Sequence, residues 1–167
     1  MTTILVADKD NRTRNLIRLM FTEHMGYKVV TTSSGSEAVL KAKAIKPDII
    51  LADISLFDKN GYTISREIKD DPLLKHVIVL LLIHPSETLS HQKNKQAYAD
   101  AVIRKPFEPA EVINTVQSLT SKRGLRFSMY RNTERQYRLK LYMKSKKSEV
   151  FKEPQYQQIL ATIKETP

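Results

Sequence analysis

The sequence predicts an α/β domain built on a doubly wound parallel sheet, and three features predict it. Five short apolar runs, at 4–7, 27–31, 49–52, 77–83 and 101–103, alternate with stretches whose apolar residues recur at helical spacing. Such alternation implies βαβ units with helices on both faces of the sheet. Several runs are continuously apolar, as in strands buried on both sides. Two of them end on a carboxylate, where open α/β sheets place their ligand sites.

Taken in order, Ile4 to Ala7 forms the first strand and is closed by Asp8-Lys9-Asp10. Asn11 is a cap residue for the helix that follows, with Leu16, Ile17, Met20 and Phe21 on one side and Gly26 as its stop. Tyr27 to Thr31 is a β-branched strand. Ser33-Ser34-Gly35-Ser36 supplies a loop and cap, and Ala38, Val39, Ala42 and Ile45 stripe a second helix ended by Pro47. Ile49 to Ala52 is the third strand, with Asp53 at its end. Asp58-Lys59-Asn60-Gly61 then reads as a turn whose last two residues tolerate positive φ. Ile64 and Ile68 belong to a third helix stopped by Asp70-Asp71-Pro72. Val77 to Ile83 is a central strand, and polar His84 to Tyr98 predicts a loop with a weak helix. Ala101 to Ile103 is a fifth strand, and Glu108-Pro109 opens a helix using Val112, Ile113, Val116 and Leu119. Five such units in about 120 residues is the flavodoxin-like (βα)5 plan, with strand order 2-1-3-4-5.

Read alone, the stretch from Pro47 to Gly61 is equally a strand that simply runs into a loop. Its neighbours give it meaning. In a doubly wound sheet the ends of the first, third and fifth strands lie side by side, which gathers Asp8, Asp10, Asp53 and Lys105. With I-L-V-A-D-K-D, P-D-I-I-L-A-D followed eight residues later by Gly61, and R-K-P-F, residues 1–121 resemble the receiver domain of bacterial response regulators, the CheY-like family. The resemblance implies phosphoryl transfer from a sensor histidine kinase to Asp53. It implies metal-site positions at Asp8, Asp53 and the carbonyl of Ser55 for Mg²⁺, which prefers octahedral oxygen ligands. It makes Lys105 the phosphate-pairing lysine and the bond before Pro106 a cis candidate.

The sequence departs from the family pattern at defined places. Lys9 stands where the family supplies a second acid, so it is a second candidate pocket cation beside Lys105, and it opposes Mg²⁺. The hydroxyl expected at the end of the fourth strand falls at Leu81, and neither Leu82 nor Ile83 restores it. The aromatic of the fifth strand falls at Val102, and Phe57 stands where proline is common. The expected protein is therefore a degenerate receiver, acting by protein–protein interaction with weak or absent phosphorylation at Asp53.

Composition bounds the rest. The chain has 167 residues, no cysteine and a net charge of +10. Disulfides and thiolate metal sites are excluded. No apolar run reaches membrane-spanning length, and the start has no signal-peptide pattern, so the expected location is cytoplasmic. The histidines His76, His84 and His91 lack metal-ligand spacing. No Ser-His-acid set or phosphate-cradling glycine loop suggests an enzyme beyond the family's own phosphotransfer. Residues 122–167 form a separate basic extension, with 12 Lys and Arg against 4 Asp and Glu, a net of +8. Leu125, Phe127 and Met129, then Tyr137, Leu139, Leu141 and Met143, alternate as in a hairpin, with helix as the competitor. Glu153-Pro154 opens a helix over Tyr156, Ile159, Leu160 and Ile163. That is too little apolar material for its own core. The extension packs on the body, pairs with a second subunit as a homodimer, or is the remnant of an output domain. Its basic residues interleaved with Tyr130, Tyr137 and Tyr142 make phosphodiester backbones an alternative partner, as in a phosphorylated, nucleic-acid-binding regulator.

Overall fold

A computed structural model describes residues 1–87 and 97–122. The elements run β1 (Thr3–Ala7), α1 (Asn11–Met25), β2 (Lys28–Thr32), α2 (Gly35–Ile45), β3 (Ile49–Asp53), α3 (Gly61–Asp70), β4 (Ile78–Ile83), β5 (Ala101–Arg104) and α4 (Pro109–Lys122). The five strands form one parallel sheet in the order β2-β1-β3-β4-β5. This is the flavodoxin-like arrangement the sequence predicts. The expectations for residues 125–163, and for most of the segment from His84 to Tyr98, lie outside the described residues.

The continuous apolar runs have the predicted cause. Every residue of β3 and of β4 is buried, because helices cover both faces. One core layer joins Ile4, Val6, Ile49, Leu51, Leu80 and Leu82 to α1 and α4. The other joins Leu5, Ala7, Ile50, Ala52, Val79 and Leu81 to α2 and α3. Each such aliphatic side chain contributes roughly 1.5–3 kcal/mol on burial, so the strands are fixed by their tertiary setting. Tyr27 falls just before β2 instead of within it; it is buried and its ring stacks on Phe21, with centroids 5.8 Å apart.

Two local expectations change. The N-cap of α1 is Asp10, whose side chain accepts from the Arg12 amide, and Asn11 is already helical. Both residue types cap well, and a carboxylate has the stronger attraction to the helix N-terminus. Gly26 closes that helix at φ 68°, as expected. At Asn60-Gly61 no positive φ occurs. Asn60 has φ −72° and caps α3 through the Thr63 amide at 2.9 Å. Gly61 is needed for a different reason: a Cβ there would lie 2.9 Å from the Asp53 carbonyl oxygen and 3.0 Å from that of Ala52. The absent side chain lets α3 start directly against the end of β3.

The loop between β3 and α3 is also tied to α2. The Asp58 carboxylate accepts from Ser34 Oγ at 2.7 Å, the Gly35 amide at 2.9 Å and the Ser36 amide at 2.8 Å. Those donors hold the Asp58 carboxyl well below the usual carboxylate range. Across the sheet, Lys69 joins α3 to the start of β5, with Nζ 2.6 Å from Asp100 Oδ2 and 2.6 Å from the Val77 carbonyl.

Candidate functional site

Parallel pairing carries the charged residues to one point. Ala7 and Ala52 are register partners in β1 and β3, so the acids that follow them, Asp8 and Asp53, emerge side by side. The Asp8 amide donates to the Thr32 carbonyl at 3.1 Å, and the Lys105 amide donates to the Ile83 carbonyl at 2.8 Å. Backbone ladders thus set both the acids and the lysine. The Lys105–Pro106 peptide bond is cis.

Asp8 is fully buried and Asp53 is 1% exposed. The Lys105 ammonium lies between them, 2.6 Å from Asp8 Oδ2 and 2.7 Å from Asp53 Oδ2. The other oxygens are held locally. Asp8 Oδ1 accepts from the Asp10 amide at 2.8 Å, and Asp53 Oδ1 accepts from the amide and the hydroxyl of Ser55, both at 2.7 Å. When both acids are ionised, two carboxylates share one ammonium and the cluster is left with one net negative charge.

The two acids respond differently to this setting. Burial pushes the Asp8 carboxyl up to about 6, and the neighbouring Asp53 charge adds to that against the pull of Lys105. Burial acts on Asp53 in the same direction, yet donation from Lys105 and from both groups of Ser55 outweighs it and holds Asp53 low. Lys105 is raised: burial disfavours its charge, but the two carboxylates more than compensate.

The remaining candidates are placed as follows. Asp10 turns its carboxylate to the start of α1, accepting from the Arg12 amide at 2.9 Å and Thr13 Oγ1 at 3.2 Å. Lys9 does not enter the pocket. Its ammonium lies over the exposed Phe57 ring, 4.8 Å from the centroid, and among the described residues no carboxylate pairs with it. The cation inside is Lys105. Leu81 is buried in the layer facing α2 and α3. β4 continues to Ile83, with Leu82 in register with Asp53. Val102 is partly buried and is the register partner of Leu81.

Two contributions were not foreseen from the sequence: the hydroxyl and amide of Ser55, a residue expected to offer its carbonyl, and the side chain of Arg14. Ser55 serves through its hydroxyl and amide; a serine two residues after an aspartate is a local turn signal that could have revealed it. Arg14 donates from Nη1 to the carbonyls of Asp8 and Lys9, at 2.7 and 3.1 Å, and so braces the loop after β1. No local pattern announces that contact. Beside the acids opens a cleft of about 230 Å³ lined by Asp10, Thr13, His84, Lys105, Pro106 and Phe107.

Residues 4–117 match the family described as the response regulator receiver domain. The chain belongs to that family. Over 118 residues this receiver is 30% identical to the polar-differentiation response regulator DivK of Brucella ovis, covering 71% of this chain and 96% of DivK. Its fold is similar to that of a putative response regulator from Chloroflexus aurantiacus, with TM-score 0.67 and 28% identity over 72% of this chain and 98% of the other. It is also similar to the receiver domain of the sensor histidine kinase PA1611 from Pseudomonas aeruginosa, with TM-score 0.63 and 26% identity, covering 70% and 95% of the two chains. That structure has a magnesium ion coordinated in its active-site cleft. Receiver domains are signalling domains of two-component pathways, and this chain is one of them. Among the described residues no helix is long and apolar enough to cross a membrane.

Proposed function

We propose that this receiver acts chiefly as an interaction module of a two-component pathway, with Asp53 as a slow phosphoacceptor. The observation that carries the reading is the division of the site into parts that are present and parts that are replaced. Asp8, Asp53 and Lys105 supply a carboxylate nucleophile and a positive charge aimed at the oxygens of an incoming phosphoryl group. In the transfer, a carboxylate oxygen of Asp53 bonds to phosphorus as the bond from phosphorus to the donor atom breaks. The leaving group keeps that electron pair and takes a proton.

The residues present fit Mg²⁺ poorly. Lys105 already bridges Asp8 Oδ2 and Asp53 Oδ2, and the next position holds Lys9 in place of a second acid. Mg²⁺ demands a near-ideal octahedral oxygen shell, to which Lys9 adds no ligand. The end of β4 offers Leu81, Leu82 and Ile83, all buried and none with a hydroxyl, and β5 offers Val102. A phosphoryl group would find no hydroxyl-and-aromatic relay there. The signal would pass through surface contacts with a sensor histidine kinase or another signalling protein.

The test is phosphorylation by acetyl phosphate in excess Mg²⁺, followed by intact mass. The wild-type receiver is expected to label slowly and incompletely, and Lys9→Asp to label at least about tenfold faster, the equivalent of 1.4 kcal/mol. Rapid, stoichiometric wild-type labelling that vanishes in Asp53→Asn would restore an ordinary phosphorylated regulator.

The charge of residues 122–167 favours a second reading, a receiver whose basic extension binds nucleic acid. Duplex DNA binding that weakens steeply with salt and disappears on removal of 122–167 would support it. No mobility shift with DNA or RNA at low salt would end it.

A further inference from the structure

The position of Lys9 has a meaning of its own. Lys9 directly follows Asp8 in the chain, and its ammonium lies over the ring of Phe57, in the loop that follows Asp53. Phe57 is 90% exposed, so the ring is held by no core contact that would require it there. An ammonium over an exposed ring is held by only about 0.5–1 kcal/mol. Inside, by contrast, two buried carboxylates share the single ammonium of Lys105. A phosphoryl group on Asp53 would add further negative charge to a cluster already short of one cation.

We propose that Phe57 parks Lys9 outside the unphosphorylated pocket and that Lys9 swings inward to pair with a phosphoryl group on Asp53, in the place where a metal ion would otherwise stand. The inference rests on Asp53 being the phosphoacceptor. Two ammonium groups, Lys9 on the β1 side and Lys105 on the β5 side, then flank the oxyanion. The site thereby selects a compact anion with several oxygens, and the modified state persists without a divalent cation. Arg14 holds the carbonyls of Asp8 and Lys9, so the backbone there is braced and the motion falls to the Lys9 side chain.

Beryllium fluoride, a stable mimic of an aspartyl phosphate, provides the probe. Its binding to the full chain is followed by amide chemical shifts around Asp53, in buffer stripped of divalent cations and again with Mg²⁺. The expected wild-type affinity changes by less than about threefold between the two buffers, while Lys9→Ala weakens metal-free binding by about tenfold or more. Lys9→Arg, which keeps the charge, should retain metal-free binding. Lys9 is exposed, so these variants preserve the core. A wild-type adduct that forms only with Mg²⁺, or metal-free binding indifferent to Lys9→Ala, overturns the inference and leaves Asp53 as acceptor. No Asp53-dependent adduct in either buffer removes the acceptor reading itself, and the inference with it.

Discussion

Lys105→Met is expected to lose about 3 kcal/mol of folding free energy at pH 8, the lower end of what removing one partner from a buried ion pair costs. Methionine keeps most of the aliphatic stem, so the loss isolates the charge. Without the ammonium, Asp8 and Asp53 stand buried and adjacent with no counter-ion, and each now disfavours the ionisation of the other. Their folded-state pKa values rise above the unfolded ones. The native state then binds more protons than the unfolded chain, and stability falls as pH rises through that window. The deficit should therefore shrink at pH 5, where protonation relieves the repulsion. Urea denaturation at the two pH values measures it. An equal loss at both would show that Lys105 matters through packing and not through its charge.

Asp8→Asn is expected to do the reverse and stabilise the receiver at pH 8 by on the order of 1–3 kcal/mol. The Asp8 carboxyl sits at about 6 in the folded protein against an ordinary 3.8. A raised carboxyl imposes a penalty that is absent below 3.8, grows between 3.8 and about 6, and is complete above that. Asparagine retains an oxygen for the Asp10 amide and removes both the burial of a charge and its repulsion of Asp53. It also gives up one acceptor of Lys105, which keeps the gain below the full penalty. The advantage should fade as the pH is lowered toward 4. Asp53, whose carboxyl is held low, contributes stability of opposite sign that is present above its unfolded value and lost as pH falls. A variant less stable than wild type at pH 8 would refute the assignment of Asp8 as the strained acid.

The two expectations differ in how far the sequence anticipated them. The apolar runs of β3 and β4 could be read directly because helices bury both faces, leaving an unbroken signal. The end of β4 at Ile83 could be read as well, but the same unbroken signal hid which of its residues lies level with Asp53. Six consecutive aliphatic residues offer no punctuation from which to set that register, and the expected hydroxyl position was placed at Leu81. The convergence of Asp8, Asp53 and Lys105 follows from strand order, although Lys105 is 97 residues from one acid and 52 from the other. The direction taken by Lys9 does not follow from strand order. It depends on an exposed ring in another loop, and a flexible four-carbon stem carries no period or cap signal that would disclose it. The exchange of Asn11 for Asp10 as helix cap is a smaller case, since two good cap residues stand in succession.

The grip of Asp58 on α2 places a mechanical constraint on everything that happens at Asp53. The loop that leaves Asp53 cannot lift away without uncovering the Gly35 and Ser36 amides and releasing the Ser34 hydroxyl. Unpaired helix-terminal amides must then find water or another acceptor. A rearrangement at Asp53 is thus geared to the first turn of α2 on the far side of the loop. In a receiver with aliphatic residues at the end of β4, that gearing gives the edge of the sheet next to β2 a route by which the state of the pocket reaches the surface.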